Sequence, residues 1–281
     1  MKAGMIGLGA MGLSMARNLA IAGYLKAVYN RTAARMTEFN VATFDRPETL
    51  AAEVDIVLIC VSADQDVLDL VEAIALTIKP GSIVVDMSTV SSETAKKAAA
   101  CLEEKQVRFL DAPVSGGVEG AKNGTLAMMV GGDVEALEKA RPVLEAIAAR
   151  IIHLGVTGSG QATKAVNQIM CAGINQAVTE ALAFAQAQGL AMDKVIDVIS
   201  GGASGNWFLQ HRGLTMTQGS FAPGFKLALH HKDLKICQTM VAQTGVSIPL
   251  TDMTITDYEQ LMAEGYGGED ISALYRLKKL T

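Results

Sequence analysis

Four cysteines, four histidines and one tryptophan are spread over 281 residues, and no run of 18 or more apolar residues occurs. Cys60, Cys101, Cys171 and Cys237 lie far apart in apolar surroundings. They read as reduced core thiols, not as a disulfide framework or a zinc site. No two histidines have metal-ligand spacing, and the neighbours His230 and His231 point different ways on a helix, so no metal is expected. Without a long apolar run, nothing is expected to span a membrane. Positive charge is not in excess either. The 24 Lys and Arg against 29 Asp and Glu leave a formal net charge of −5 and no electrostatic footprint for nucleic acid. The N-terminus enters a strand at once, with no basic region and apolar stretch, so no signal peptide is expected and the cytoplasm is the expected compartment. Internal repeats and low-complexity segments are absent as well.

What is present is an alternation of short β-branched runs with alanine-rich helical stretches, which means α/β and not all-α. The length suggests two domains or one large one. Strands are expected at 3–6, 26–29, 55–60, 83–87, 108–112, 128–131 and 151–153, with helices between most of them. After Gly189 no convincing parallel strand follows, and helices are expected near 193–199, 207–212, 226–244, 251–264 and 270–280. The expected architecture is therefore an N-terminal doubly wound parallel sheet over 1–160, a Rossmann unit. A long helix joins it to an all-α C-terminal domain over 161–281.

The first strand runs into Gly7-Leu8-Gly9-Ala10-Met11-Gly12 and then a helix, the context in which G-x-G-x-x-G gains meaning. Gly7 permits a tight turn, Gly9 lets the backbone approach a pyrophosphate, and Gly12 lets the helix pack on the strand. A helix N-terminus offers free N–H groups to that phosphate. The second strand ends in Asn30-Arg31-Thr32, where an NAD-binding unit would usually place Asp or Glu for the ribose 2′-hydroxyl. A neutral Asn30 with a guanidinium at Arg31 suits the 2′-phosphate of NADP instead. The other reading is a surface arginine in a turn. Val61, Ser62 and Thr89 follow parallel strands at their carboxyl ends, where such sheets bind ligands, and are expected to border the nicotinamide.

Two further stretches are unusual. Ser115-Gly116-Gly117 after Pro113 offers a hydroxyl and consecutive backbone N–H groups, an anion nest suited to a carboxylate; the alternative is a glycine-rich hairpin with no ligand. From Gln161 to Gln188 nothing breaks a helix, and a helix carrying only Lys164 and Glu180 as charges is expected to be buried on most sides. Lys164, Asn167, Gln168, Cys171 and Asn175 share one stripe of it. Lys164 either snorkels to solvent or does chemistry in a cleft. On the expected helix 226–244, Leu229, Ile236 and Met240 mark an apolar face that Lys232 and Asp233 interrupt. Those two form a structural ion pair or face a cleft.

Together these stretches resemble the β-hydroxyacid dehydrogenase family, which includes 3-hydroxyisobutyrate dehydrogenases and the reductases of glyoxylate, succinic semialdehyde and tartronate semialdehyde. The resemblance rests on the glycine loop, on Asp111-Ala112-Pro113-Val114-Ser115-Gly116-Gly117, on Gly158-Ser159-Gly160-Gln161-Ala162-Thr163-Lys164-Ala165-Val166-Asn167, and on Phe225 followed by Lys232-Asp233-Leu234. It covers nearly the whole chain. It implies that Ser115, Gly116 and Gly117 bind the substrate carboxylate and that Lys164 is the catalytic acid/base, with an asparagine one turn on as its helper. It places Lys232 near the cofactor and Asp233 beside it. Some relatives carry that asparagine four residues after the lysine; here Gln168 stands there and Asn167 stands three after, so either amide could touch the substrate. Trp207, Phe208, Met170 and Phe225 are candidate pocket walls.

The chemistry also follows from the residues. Reducing an aldehyde creates an alkoxide that needs a proton and a nearby positive charge. With no histidine on either stripe, Lys164 is the best-placed general acid, with Lys232 as a cation that would lower its pKa. The expected partners are a small carboxylate-bearing substrate and a second copy of the chain. A 6-phosphogluconate dehydrogenase relative would have His-Asn where Asn167-Gln168 stands, and imine reductases generally lack the lysine. A non-catalytic NADP-binding module would have no reason to combine Ser115, Lys164 and Lys232.

Overall fold

The computed structural model describes residues 1–242 and 244–278, and it divides into two compact units, Met1–Lys164 and Ala165–Thr281. In the first unit six strands lie parallel: β1 (Ala3–Ile6), β2 (Leu25–Tyr29), β3 (Ala42–Thr43), β4 (Ile56–Ile59), β5 (Ile83–Asp86) and β6 (Arg108–Asp111). Their spatial order is β3-β2-β1-β4-β5-β6, so the order reverses between β1 and β4. Helices α1 (Gly12–Ile21), α2 (Pro47–Ala51), α3 (Asp64–Ile74) and α4 (Ser92–Glu103) connect them. Every residue of β1, β4 and β5 is buried, as strands covered on both faces must be. Alternate side chains divide between two cores: Met5 and Leu58 join one, and Ile6, Val57 and Ile59 join the other.

The sheet is not parallel throughout. β7 (Val114–Ser115) passes through α5 (Gly117–Asn123) into β8 (Leu126–Gly132), and β8 runs antiparallel to both β6 and β7. The reason is length. A parallel crossover needs a dozen or more residues, and the ten between Ser115 and Leu126 are too few. The longer connection through α6 (Val134–Leu144) lets β9 (Ala148–Gly155) pair parallel to β8. Helix α4 is capped by Ser91, whose side chain accepts from Thr94 N–H, and α6 by Asp133, which accepts from Ala136 N–H.

Helix α7 (Ser159–Ala187) is the expected long helix, continuous over 29 residues. It is less enclosed than its low charge suggests, because Val166, Met170 and Phe184 are exposed while Ala172, Val178 and Leu182 are buried. Its apolar residues outnumber the positions its neighbours cover. The second unit adds α8 (Met192–Ser200), α9 (Trp207–Thr217), α10 (Leu227–Val241), α11 (Pro249–Ala263) and a 3₁₀ turn at Ile271–Lys278. The helices expected to end at Thr244 and Leu280 reach across Gln243, Lys279 and Leu280, which are outside the described residues. On α10 the expected apolar face is wrong. Leu227, His230, Asp233, Leu234 and Cys237 are buried, whereas Leu229 is exposed and Ile236 and Met240 are half-buried. His230 turns inward because its ring meets the Tyr258 hydroxyl at 3.1 Å, which makes a polar residue a better core member there than leucine. Among the described residues, no helix is long and apolar enough to cross a membrane.

Candidate active site

The glycine loop lies where the strand order reverses, and its three glycines have different constraints. Gly7 has φ +93°, and a Cβ there would lie 2.2 Å from the Cys60 carbonyl oxygen. A Cβ at Gly12 would lie 2.0 Å from the Gly7 carbonyl oxygen, so only glycine lets α1 start there. At Gly9 a Cβ would meet no atom within 4 Å. Folding therefore does not require glycine at position 9, whereas close approach by a pyrophosphate does. The loop is pinned from β2: Leu8 N–H donates to Asn30 Oδ1 at 2.8 Å, and Arg35 Nη1 donates to the Leu8 carbonyl at 2.9 Å. Arg35 was not among the sequence candidates. Asn30 Nδ2 also donates to the Thr32 carbonyl. Gly9 and Ala10 are exposed, Met11 is half-buried, and the N-terminus of α1 has no side-chain cap. This cradle fits a dinucleotide pyrophosphate.

Beyond Asn30, Arg31 is largely exposed and pairs with Asp66 at the start of α3, Nη1 to Oδ1 3.0 Å. A depression of about 410 Å³ there is lined by Tyr29, Asn30, Arg31, Met36, Thr43 and Phe44, among others. Across the switch point, Val61 N–H donates to Ser88 Oγ at 2.9 Å; Ser62 is exposed and Thr89 half-buried. The glycine loop, Asn30, Arg31, Val61, Ser62 and Thr89 thus share the carboxyl-end side of one sheet.

Lys164 belongs to the same unit and is only 7% exposed. It does not snorkel: its Nζ donates to the Val114 carbonyl at 2.9 Å. Ser115 follows directly, and Gly116 and Gly117 have φ +134° and +63°, backbone that favours glycine. The structure therefore brings Lys164 against the chain that enters the proposed nest. Just before that chain, Asp111 is fully buried. It accepts from Gly158 N–H (2.8 Å) and Gln161 N–H (2.9 Å) at the start of α7. Burial pushes its carboxyl up, against the lowering effect of those N–H groups. Gln161 is buried too, donating Nε2 to the Ser88 carbonyl (2.8 Å) and accepting at Oε1 from Val90 N–H (3.2 Å).

The remaining candidates form a chain in the second unit. Asn167 Nδ2 donates to Gln168 Oε1 at 2.8 Å, and Gln168 Nε2 donates to Asp233 Oδ2 at 2.6 Å. Asp233 Oδ1 meets Lys232 Nζ at 2.9 Å, so Lys232 and Asp233 do form an ion pair. Phe225 stands apart from this chain. Its N–H donates to Asp270 Oδ2 at 3.0 Å, and its ring tilts against His230 at 5.4 Å between centroids. A histidine does share the stripe of Asp233, contrary to expectation: buried His230 lies one turn earlier, with Nε2 3.3 Å from the Gln168 carbonyl. No spacing rule signals it, because its partners lie 28 and 62 residues away.

Residues 2–155 match the family model described as the NAD binding domain of 6-phosphogluconate dehydrogenase. Residues 158–278 match that described as NAD-binding of NADP-dependent 3-hydroxyisobutyrate dehydrogenase. The chain is 34% identical to the NAD-dependent L-serine dehydrogenase of Pseudomonas aeruginosa, over 97% of this chain and 96% of that one. It is also 34% identical to the 2-hydroxy-3-oxopropionate reductase of Escherichia coli, over 100% and 98%. A solved structure of Mycobacterium tuberculosis 3-hydroxyisobutyrate dehydrogenase with L-serine superposes with a TM-score of 0.91 at 33% identity, covering 99% of each chain. The fold and these matches agree: this chain belongs to the β-hydroxyacid dehydrogenase family and is an NAD(P)-dependent oxidoreductase acting on a CH–OH group.

Proposed function

We propose that the chain interconverts a 3-hydroxypropanoate bearing a small C2 substituent and its semialdehyde, with NADP(H) preferred and Lys164 as general acid and base. The carrying observation is a buried ammonium held 2.9 Å from the Val114 carbonyl, immediately before Ser115-Gly116-Gly117. The relatives' names set the substrate class. 3-Hydroxyisobutyrate, L-serine and 2-hydroxy-3-oxopropionate share a three-carbon acid with oxygen at C3 and differ at C2 by methyl, amino or hydroxyl.

In this reading the Ser115 hydroxyl and the N–H groups of Gly116 and Gly117 hold the carboxylate, which fixes the distance to C3. Lys164 gives a proton to the C3 oxygen in aldehyde reduction and takes it back in alcohol oxidation, and its charge stabilises the alkoxide in between. Asn167, one turn on, offers an amide to the same oxygen. The nicotinamide cofactor, when bound, supplies or accepts the hydride. Support for NADP comes from Arg31. Its exposed pair with Asp66 exchanges readily for a doubly charged phosphate, and no carboxylate at position 30 would repel that phosphate.

The test is steady-state and single-turnover kinetics with 3-hydroxyisobutyrate, L-serine, glycerate and the matching semialdehydes, using both cofactors. NADPH is expected to give the higher kcat/KM. Lys164→Met should lower hydride transfer by ~10²–10⁴-fold while cofactor binding persists. Normal hydride transfer in that variant would remove the lysine from the mechanism.

A further inference from the structure

Between the sheet and the first turn of α7 lies a set of buried polar groups to which the proposed mechanism gives no role. Asp111 reaches across 47 and 50 residues of sequence to take the N–H groups of Gly158 and Gln161. The site is shaped around that carboxylate. A Cβ on Gly131 would lie 2.5 Å from Asp111 Oδ1, and one on Gly160 would lie 2.9 Å from Oδ2 and 2.4 Å from the Met129 carbonyl oxygen. Two glycines thus stand where any side chain would displace it. A carboxylate at the N-terminus of a 29-residue helix also meets the positive end of the helix dipole. Gln161 then carries the connection onward. Its amide bonds to Ser88 and Val90, the residues on either side of Thr89, while Ser88 Oγ takes Val61 N–H.

Two three-residue steps run side by side. Asp111, the last residue of β6, leads through Ala112 and Pro113 to Val114, the first of β7, and Gln161 leads to Lys164 along the helix. The first pair is joined by a charge-assisted N–H bond, the second by Lys164 Nζ to the Val114 carbonyl. We infer that Asp111 and Gln161 are positioning residues that fix Lys164 against the Val114–Gly117 segment and tie both to the Thr89 loop on the cofactor side. The inference rests on the proposed role of Lys164 for its catalytic consequence, but not for its geometric one. General acid catalysis is sensitive to placement: a shift of ~1 Å can cost ~100-fold in rate.

The experiment compares Gln161→Met, which keeps length and loses both amide bonds, with Asp111→Asn, and with Ser92→Ala as a control. Ser92 Oγ donates to the Gly158 carbonyl at the same helix end, a bond that involves neither the Asp111 nor the Gln161 side chain. Two readouts are taken on the full chain. One is kcat and the cofactor and substrate KM; the other is competitive acetylation with acetic anhydride, read by mass spectrometry at Lys164 with exposed Lys96 as internal reference. The expected result for Gln161→Met is a ~10–100-fold lower kcat, cofactor KM within about threefold, and faster acetylation of Lys164 only. Ser92→Ala should leave both unchanged. If Asp111→Asn does not fold, Gln161→Met carries the test alone. Faster acetylation with unchanged turnover would uphold the clamp and refute the acid role of Lys164. Unchanged acetylation and unchanged kcat, with only a lower Tm, would make these bonds an ordinary helix cap and overturn the proposal.

Discussion

Asp86 and Asp111 end neighbouring strands and pair in register, both fully buried, yet their surroundings differ. Asp111 accepts helix N–H groups, while Asp86 Oδ1 accepts from Ser88 N–H (3.0 Å) and its Oδ2 has no hydrogen-bond partner among the described residues. Burial pushes the Asp86 carboxyl from 3.8 to about 7; Ser88 opposes the shift, and the charges of Asp111 and Asp64 add to it. Because the folded-state value lies above the unfolded one, the native chain binds the extra proton between those two values. Its stability is full below pH 3.8 and declines as pH rises through about 7. From about pH 5 to 8.5 that amounts to about 2–3 kcal/mol. Asp86→Asn keeps the acceptor for Ser88 N–H and removes the titration, so its Tm should exceed that of the parent near pH 8.5 and approach it near pH 5. Thermal melts across that range check this; parallel Tm curves would show that Asp86 does not titrate there.

The strand–loop–helix element at residues 3–21 was legible because its meaning is local: each glycine serves its own neighbours. The structure separates those services, and substitutions can too. Gly12→Ala drives a Cβ against the Gly7 carbonyl, and overpacking against backbone should cost ~1–3 kcal/mol or more, seen as a clear fall in Tm. Gly9→Ala meets nothing within 4 Å, so stability should stay within ~0.5 kcal/mol of the parent while cofactor affinity falls by tenfold or more. Unchanged cofactor affinity in Gly9→Ala would mean that the pyrophosphate does not pass over this loop. Other elements were harder to read for physical reasons. Strand direction at β8 depends on connection length, not on composition. The buried face of α10 is chosen by Tyr258 and the Gln168 carbonyl, so counting apolar residues pointed to the wrong side. The linear motifs disclosed Lys164, Ser115 and the glycine loop. They could not disclose how Asp111 reaches Gln161, or Gln168 reaches Asp233, because those bonds span 50 and 65 residues and exist only once the chain has packed.

At the scale of the whole chain, each unit has its own apolar core, and α7 contributes to the architecture of both. Its first turn is held by Asp111 and Gln161 in the first unit. Further along, Asn175 donates to the Tyr258 hydroxyl and the Ile271 carbonyl, and Gln176 to Thr254 and Asp257, in the second. A helix that unfolded at either end would strip buried polar groups of their partners, which costs ~1–3 kcal/mol for each group left unsatisfied. The two units are therefore expected to unfold together. The chain contains its own reporter for this. Trp207, the single tryptophan, lies in the second unit, stacked on His211 at 4.2 Å with the Arg212 guanidinium 5.3 Å from its ring centroid. The glycine loop, Asn30 and Arg31 lie in the first unit. A nicotinamide cofactor at about 100 times its Kd stabilises the native state by about 2.7 kcal/mol, which for a chain of this size raises Tm by about 5 °C. If unfolding is cooperative through α7, tryptophan emission and far-ultraviolet circular dichroism should give one midpoint, and cofactor should move both by that amount. A Trp207 midpoint that stays put while the dichroism midpoint rises would show that the units melt separately and that α7 frays between them.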